Sequence, residues 1–408
     1  MKKMFILVLA LVMAFAAAPA FAQDKADWSF YGSVRMWTAW ESVDNDTPPQ
    51  LSNAGFFPVA SSAAIARNVG GLALDDDEMA YLLQSNSRIG ANVKWGNIGG
   101  RFEYGHTSTV NLRLLYGTWN FGAGTLLLGQ DYGPYFYLVS GLCGPGGAEC
   151  NGIGFGSIYT GRTPQIKLIM GGLQLAIERP ELQNSFTFAY PAGTGAVQSI
   201  TAVATGNVQT DRDQTLPRLA ASYTFNLGPA QIFVGGTYNS YTQHFTVAGA
   251  DREHDVDGWL LGAGTKMAFG PFYVNATFQY GENPNNAAGP WFTLYPSVNL
   301  YNSATDRSED AEYIAAQLIL GFKVMDNLQI EGGIIWQSGE VDDVTVAGRS
   351  WSQDTWSYYI GFGWSPAKNV FIVPEFGIID YNKLEVSGQN DVEYGKLTWF
   401  GIKWQINF

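Results

Sequence analysis

Residues 356–365 read WSYYIGFGWS, and this stretch contains the pattern that decides the fold. Trp356, Tyr358, Ile360, Phe362 and Trp364 are apolar or aromatic and occupy every second position, while the residues between them are mostly Ser and Gly. Successive side chains of an extended strand point to opposite faces. The period of two therefore predicts a β-strand with one apolar face and one polar face.

The same alternation recurs along nearly the whole chain, and short turns containing Gly, Asn or Pro alternate with long polar loops. An even number of strands with short turns at one end and long loops at the other predicts an all-β, transmembrane antiparallel β-barrel of about 16 strands. The predicted strands lie near residues 28–41, 79–95, 98–106, 109–121, 124–131, 164–170, 173–180, 216–225, 230–243, 256–269, 272–283, 310–324, 328–340, 353–365, 369–381 and 393–408.

The apolar face of these strands is expected to face lipid. The opposite face consists mainly of Gly, Ser, Asn, Gln, Lys and Arg, which do not build a core, and sixteen strands enclose a lumen too wide to fill with side chains. A closed barrel in lipid satisfies every backbone hydrogen-bonding group. Two segments fit less well: Pro374 removes a ladder donor from 369–381, and the leucine run in 124–131 has no clean polar face.

Composition excludes several classes of protein. Aromatic residues make up 14% of the 408 residues, which is incompatible with disorder. The net charge of −13 repels phosphate and excludes a nucleic-acid partner. Three scattered histidines pair with no candidate nucleophile, and no phosphate-binding, dinucleotide or haem-attachment motif is present. We therefore expect no enzymatic activity, no cofactor and no metal site.

Residues 1–22 have the features of a cleaved secretory signal peptide. Lys2 and Lys3 precede an apolar stretch, and Ala20-Phe21-Ala22 is a small-residue cleavage site that places the mature start near Gln23. The alternative is a retained anchor helix, but the apolar stretch is short for a membrane span. Residues 23–408 then form a single barrel domain in an exported protein.

The last strand carries the clearest family signature. Its apolar residues occupy every second position and end on a terminal Phe: Phe400, Ile402, Trp404, Ile406 and Phe408. This resembles the C-terminal signal by which the barrel-assembly machinery recognises outer-membrane proteins. The whole mature chain is similar to the 16-stranded trimeric general porins of Gram-negative bacteria, and most similar to the homotrimeric porins of sulfate-reducing bacteria.

The resemblance implies a homotrimer in the bacterial outer membrane, with short periplasmic turns and long extracellular loops. It also implies that the third long loop, residues 131–163, folds inward as a constriction loop. Such a loop would cover the leucine run of the preceding strand from within. It holds only two acids, one of them Glu149, so the charge asymmetry usual in general porins is in doubt.

Both cysteines, Cys143 and Cys150, lie in the 131–163 loop. A close, even pair in an exported protein predicts a disulfide that closes an eight-residue ring. Two alternatives stay open, free thiols and a metal site, although no histidine lies nearby to complete a metal site.

Charged residues on the polar face of the strands are the candidate pore-lining residues. Four arginines from four consecutive strands fall near mid-height and should form one basic patch, beside an acid that could pair with them. The candidates at the pore and its constriction are Arg35, Arg88, Arg101, Glu103, Arg113, Arg218 and Glu149.

The predicted function is a water-filled outer-membrane channel for passive diffusion of ions and small hydrophilic solutes, with weak anion preference or near neutrality. One alternative is a substrate-selective porin with a solute-binding constriction, because the loop is rich in Tyr and Phe. The other is a structural or adhesive surface barrel. Lipid and lipopolysaccharide are the expected surroundings.

Overall fold

The structure is a computed structural model of the 408-residue chain. It describes residues 26–44, 75–106, 109–140, 142, 155–180, 186–188, 210–214, 216–247, 250–289, 297–302, 306–342, 348–388, 391–393 and 395–408. Within these ranges the chain is almost entirely β-structure. No helix among the described residues combines the length and apolar character that a membrane crossing requires.

Sixteen antiparallel strand positions form a closed barrel in the described part of the chain. Twenty strands fill these positions, because four positions are each shared by two strands: Asp75–Leu83 with Arg88–Trp95, Thr210–Asp213 with Arg218–Leu227, Val370–Asp380 with Lys383–Val386, and Val392–Glu393 with Lys396–Asn407. The strands are β1 Asp27–Asp44, β2 Asp75–Leu83, β3 Arg88–Trp95, β4 Ile98–His106, β5 Val110–Asn120, β6 Thr125–Tyr132, β7 Arg162–Met170, β8 Leu173–Glu178, β10 Thr210–Asp213, β11 Arg218–Leu227, β12 Ala230–Val247, β13 Ala250–Phe269, β14 Phe272–Glu282, β17 Glu312–Met325, β18 Leu328–Asp342, β19 Ser350–Ala367, β20 Val370–Asp380, β21 Lys383–Val386, β22 Val392–Glu393 and β23 Lys396–Asn407.

Each of the sixteen strand positions pairs with the next along the chain, and the last closes on the first. β23 pairs with β1 from Ser33↔Asn407 to Asp44↔Lys396, and with β20 on its other side. The predicted strand at 79–95 is divided, because residues 84–87 interrupt pairing with β1 between β2 and β3. The register between β19 and β20 also shifts, between Trp364 and Ala367, whereas pairing of β20 with β23 continues through Pro374.

Short turns gather at one end of the barrel, hereafter the short-turn end. Gly171 and Gly270 have φ of 59° in two of these turns, the left-handed region that glycine adopts without a steric penalty. At the opposite end, hereafter the long-loop end, helix α1 Pro284–Ala288 and a small sheet of β9 Phe186–Phe188, β15 Leu300–Asn302 and β16 Arg307–Glu309 lie outside the barrel ladder.

The alternation of exposure confirms which face of the barrel is outside. On β17, Leu318 and Leu320 are 44% and 53% exposed, while Gln317, which directly precedes Leu318, is 3% exposed. The same alternation runs through the leucine run of β6, where Leu127 is buried and Leu128 is exposed. Only Leu127 of that pair therefore faces the lumen. The leucine run thus presents less apolar surface to the inward segment than its composition implies.

The buried apolar core lies inside the lumen. Tyr135, Val139 and Ile158 from the segment after β6 pack in one cluster with inward-facing apolar residues of the wall, among them Ile319 and Ile335. These wall positions break the alternation between apolar and polar residues, because they are apolar on the lumen face. Their burial stabilises the segment inside the barrel rather than the barrel against lipid.

Candidate functional site

The segment that follows β6 crosses the lumen and lies against the opposite inner wall. The hydroxyl of Tyr135 donates a hydrogen bond of 2.8 Å to Oε1 of Gln279, whose Nε2 donates 2.7 Å to the carbonyl oxygen of Gly156. Nδ2 of Asn275 donates 2.7 Å to the carbonyl oxygen of Val139. These bonds hold the described residues of the 131–163 segment within the barrel.

Glycines on β13 make room for the two tyrosines of this segment. A Cβ at Gly264 would lie 2.5 Å from the Tyr137 ring, and one at Gly262 would lie 2.8 Å from the Tyr135 hydroxyl. The Tyr137 ring stacks on Phe233 with centroids 4.8 Å apart. Burial raises the pKa of the Tyr137 hydroxyl to about 12, so this side chain stays neutral at physiological pH.

A buried carboxylate fixes the same segment farther along. Glu331 on β18 is 2% exposed and accepts hydrogen bonds from the hydroxyls of Tyr273 at 2.8 Å and Tyr359 at 2.9 Å. The hydroxyl of Ser140 also donates to Glu331. Three hydroxyl donors compensate the desolvation of this carboxylate, because a buried charge is tolerated only when it is hydrogen-bonded.

Three of the predicted arginines meet at a single buried glutamate on the wall where β3, β4 and β5 pair. Nε of Arg113 lies 2.7 Å from Oε1 of Glu103, Nη2 of Arg101 lies 3.0 Å from Oε2, and Nη1 of Arg88 lies 3.5 Å from Oε1. The Tyr31 hydroxyl donates 2.8 Å to Glu103 and accepts 2.8 Å from Nε of Arg101. We call Arg88, Arg101, Arg113 and Glu103 the arginine cluster; its formal charge is two positive units.

A β-bulge sets the position of Arg113. The register between β4 and β5 pairs Glu103 with Leu114 and Tyr104 with Leu112, which leaves Arg113 without an opposite residue. As a result Arg113 and Leu114 are both buried although they are consecutive. A bulge inserts one extra residue and redirects side chains, and here it directs the Arg113 guanidinium onto Glu103.

Arg35 is held beside the interruption between β2 and β3. Its amide donates 2.9 Å to Oγ of Ser87, which in turn donates 3.0 Å to the Arg35 carbonyl oxygen. Its Nε donates 2.9 Å to Oγ of Ser33. Arg35 therefore lies on the lumen face, on the strand next to the one that carries Arg88, and two serines bind its backbone amide and its Nε.

Arg162, which the sequence reasoning missed, joins this wall through Tyr132. The Tyr132 hydroxyl accepts hydrogen bonds from Nη1 of Arg162 at 3.2 Å and Nη2 of Arg113 at 3.4 Å. The Tyr132 ring also packs 4.4 Å from Phe136 and 6.3 Å from Tyr159, measured between centroids. Basic and aromatic groups are thus adjacent where the segment leaves the wall. The available sequence signal was an arginine near the end of the 131–163 loop.

Arg218 lies apart from the other predicted arginines. It is fully buried, and its Nε lies 2.7 Å from Oε2 of Glu178 on the neighbouring strand. Nη1 donates 3.3 Å to the carbonyl oxygen of Ala288 in α1, and Nη2 donates 3.4 Å to Oγ1 of Thr163. Arg218 thus joins the wall, the helix and the end of the inward segment rather than facing open lumen.

The predicted assembly residues lie on the outer face of the last strand. Phe400, Trp404, Ile406 and Phe408 are 42% to 65% exposed. The terminal residue closes the barrel: Phe408 and Gly32 exchange backbone hydrogen bonds of 2.7 and 3.0 Å, and a Cβ at Gly32 would lie 2.3 Å from the Phe408 ring. The candidates Glu149, Cys143 and Cys150, and the 1–22 segment, lie outside the described residues.

The arrangement concentrates positive charge on the β3–β5 wall of the lumen. Arg88, Arg101 and Arg113 share one carboxylate, and the guanidinium groups of Arg35 and Arg162 lie on the same side of the barrel. The side chain of Arg101 is 32% exposed and that of Arg88 14%, so both reach solvent in the lumen. Charge inside a narrow, low-dielectric passage acts more strongly on a passing ion than charge on the outer surface.

Structural comparison gives the same fold, whereas sequence comparison gives no relative. No protein-family model and no curated protein sequence matches the chain. The outer membrane channel DcaP of Acinetobacter baumannii superposes with a TM-score of 0.59 at 19% identity, covering 96% of this chain and 100% of that one. The trimer form of OmpT, an outer membrane protein of Vibrio cholerae, gives 0.52 at 14% identity over 94% and 100%.

The anion-selective porin from Comamonas acidovorans gives a TM-score of 0.51 at 13% identity, covering 94% of this chain and 100% of that one. At such low identities these likenesses establish the fold, a closed 16-stranded outer-membrane-type barrel, and nothing about the solute.

Proposed function

We propose that this chain forms a water-filled channel in the bacterial outer membrane through which ions and small hydrophilic solutes diffuse passively. The observation that carries the proposal is the closed barrel with apolar side chains outside and charged side chains inside. Outward residues such as Phe272 at 58% and Leu320 at 53% exposure would be costly in water and are stable against lipid. The names of the fold neighbours, a channel and an anion-selective porin, support the same function.

Planar-bilayer recording tests this proposal. The purified, folded protein should insert in discrete steps, with a conductance that rises in proportion to KCl concentration without saturating. A folded protein that inserts but conducts no ions would refute the channel and favour the structural or adhesive barrel.

A substrate-selective channel is the second candidate, and the aromatic group of Tyr132, Phe136 and Tyr159 favours it. Aromatic faces next to Arg162 offer stacking surface for a sugar ring or another planar solute. Liposome-swelling rates should then differ between solutes of equal size, and the conductance should saturate with the preferred solute. Swelling rates that depend on solute size alone would contradict this candidate.

We also propose that the channel prefers anions weakly or conducts anions and cations almost equally. The candidate constriction is formed by Arg35, Arg88, Arg101, Arg113 and Glu103, with Arg218 as a more distant member. Glu149 stays a candidate outside the described residues. Acidic outer loops draw cations to the mouth and oppose this preference, but their charges are screened over about 8 to 10 Å at physiological salt.

The assembly we propose is a homotrimer, exported with a signal peptide that is cleaved near Ala22 and inserted by the barrel-assembly machinery among lipid and lipopolysaccharide. The trimer form of the V. cholerae protein with this fold supports the stoichiometry. Light scattering of the purified protein in detergent should give three times the chain mass, and a monomeric mass would refute it. A closer kinship to the porins of sulfate-reducing bacteria stays a prediction.

The disulfide between Cys143 and Cys150 also stays a prediction. It would close a short ring within the 131–163 segment and so limit its conformations. Mass spectrometry of unreduced protein should find one bridged peptide. Two thiols that react with an alkylating reagent would refute the bridge.

A further inference from the structure

A second stretch of chain lies inside the barrel at the long-loop end. Residues 283–289 and 297–302, hereafter the α1 segment, contain helix α1 and strand β15. Nδ2 of Asn239 on β12 donates a hydrogen bond of 2.9 Å to the carbonyl oxygen of Asn286, whose own Nδ2 donates 2.8 Å to the hydroxyl of Tyr241. Asn239 and Tyr241 belong to the buried, lumen-facing side of β12. The α1 segment therefore lies against the inner face of the wall, as the inward segment does.

Asn286 is the residue that fixes the α1 segment most closely. It is fully buried, and its Oδ1 accepts 3.0 Å from the amide of Asn299 within the same segment. Gly258 on β13 leaves room for the helix beside it, because a Cβ there would lie 2.6 Å from the amide nitrogen of Ala287. Removing the Asn286 side chain would leave a buried donor and a buried acceptor without their partner, which loosens the α1 segment.

Both ends of the inward segment reach one buried ion pair. The side chains of Arg218 on β11 and Glu178 on β8 are fully buried, and Nε of Arg218 lies 2.7 Å from Oε2 of Glu178. At the end of the inward segment, Oγ1 of Thr163 accepts 3.4 Å from Nη2 of Arg218. At its start, Gly133 approaches the pair so closely that a Cβ there would overlap Oε1 of Glu178. The ion pair therefore lies at the base of the inward segment.

The remaining nitrogen of the same guanidinium reaches the α1 segment. Nη1 of Arg218 donates 3.3 Å to the carbonyl oxygen of Ala288, the last residue of α1, which is also fully buried. A guanidinium holds its donors in one rigid plane, so its three nitrogens can address three parts of the chain at once. Here Nε bonds to the wall, Nη1 to the α1 segment and Nη2 to the inward segment.

We propose that Arg218 is a positioning residue that couples the two segments, so that the α1 segment fixes the inward segment and, through it, the width of the passage. The inference rests on the proposed channel function and adds a second element to the constriction. Loosening the α1 segment should then loosen the inward segment as well, although Asn286 makes its own hydrogen bonds with β12 and within the α1 segment. A lysine at position 218 could keep the ion pair, but its single nitrogen could not replace both Nη bonds.

Hydrogen–deuterium exchange of the full-length, detergent-folded protein tests the coupling in a double-mutant cycle. The reporter is the amide of Tyr137 in the inward segment, which donates 3.0 Å to the carbonyl oxygen of Ile158. Asn286→Ala and Arg218→Lys should each speed its exchange about fivefold, which corresponds to about 1 kcal/mol of local stability. The double variant should exchange no faster than Arg218→Lys alone, because the α1 segment then no longer acts on the inward segment.

Single-channel recording should follow the same pattern. Noise in the open-channel current should increase in Asn286→Ala and in Arg218→Lys, and the double variant should be no noisier than Arg218→Lys. A residue that only stabilised the barrel would instead give effects that add in the double variant, both in exchange and in noise.

Asn92→Ala is the matched control, because Asn92 is an exposed amide on β3 whose Nδ2 donates 3.4 Å to Oγ of Ser29. Its exchange and noise should equal those of the wild type. The heat shift of the folded band in electrophoresis reports folding of every variant. If Arg218→Lys does not fold, Thr163→Val takes its place in the cycle, because it removes the acceptor of Nη2 and leaves the ion pair intact.

Three results would overturn the coupling. The first is unchanged exchange of the Tyr137 amide in Asn286→Ala while peptides of the α1 segment exchange faster. The second is unchanged exchange of this amide in the variant that breaks the Nη bonds, and the third is additive acceleration in the double variant. A wild type that conducts no KCl would instead refute the channel, and the exchange cycle could still be read, so the two failures are distinguishable.

Discussion

Replacing Glu103 with Gln should make the channel more selective for anions. Glu103 is fully buried and is the carboxylate within 3.5 Å of Arg88, Arg101 and Arg113 in the described structure. The substitution keeps the size and the acceptor oxygen of the side chain but removes one negative charge. The formal charge of the arginine cluster then rises from two positive units to three.

The electrostatic effect of one added charge is modest but measurable. For an ion about 7 Å away and an effective dielectric of about 40 to 80, Coulomb's law gives about 0.6 to 1.2 kcal/mol. Because the added charge attracts an anion and repels a cation by the same energy, the ratio of anion to cation permeability changes by about sevenfold to fiftyfold. In a tenfold KCl gradient, a sevenfold change from equal permeability moves the reversal potential by about 37 mV toward that of chloride.

Glu340→Gln provides the matched control, since it removes the same charge from an exposed position at the long-loop end of β18. Its effect on the reversal potential should be within a few millivolts of zero in about 0.15 M salt, because exposed charges are screened over about a Debye length. A Glu103→Gln channel with unchanged reversal potential, or one shifted toward potassium, would refute the claim that the arginine cluster lines the ion path.

Three further variants test other parts of the structure. Replacing Arg88, Arg101 and Arg113 together with Gln should shift the reversal potential toward that of potassium, which is opposite to the shift expected for Glu103→Gln. An unchanged reversal potential in a KCl gradient would mean that charges at the mouth of the channel set its selectivity. Deleting Phe408 should lower the amount of folded protein in outer-membrane fractions while export continues, because its backbone bonds and ring close the barrel; normal levels by heat-shift electrophoresis would contradict this. Gly264→Leu should displace the tyrosine ring packed against it and raise single-channel conductance or its noise, whereas recordings identical to the wild type would show that the inward segment does not limit the current.

The strands were largely predictable from the sequence, because period two is a local property of extended chain. Ile360 and Phe362 alternate with Gly361 and Gly363, and the structure exposes the two apolar residues on the outer face. The split of the predicted strand is marked in the sequence by four consecutive polar residues, Gln84 to Ser87, but the positions at which pairing stops and resumes were not predictable from them. The break became visible only when β1 paired with both halves.

The candidate site was predictable in composition but not in detail. Alternation placed Arg88, Arg101 and Glu103 on the lumen face, and they meet there. It placed Arg218 on the same face, yet that side chain is buried against Glu178 at the edge of the inward segment. Arg162 was overlooked because its partner Tyr132 lies at the other end of a long loop, and strand periodicity carries no information on that pairing.

The sequence by itself determined that the chain is a barrel of about sixteen strands with an apolar outside, since side-chain alternation and turn residues act over two to ten positions. The tertiary structure decided where the inward segment lies. Ile319 and Ile335 face the lumen against the alternation, and their purpose is evident only once Tyr135 and Ile158 pack on them from more than 150 residues away. It also decided the bulge that directs Arg113 onto Glu103. Such contacts depend on which strands become neighbours and in what register, and those choices are made by packing across the closed barrel rather than by any local pattern.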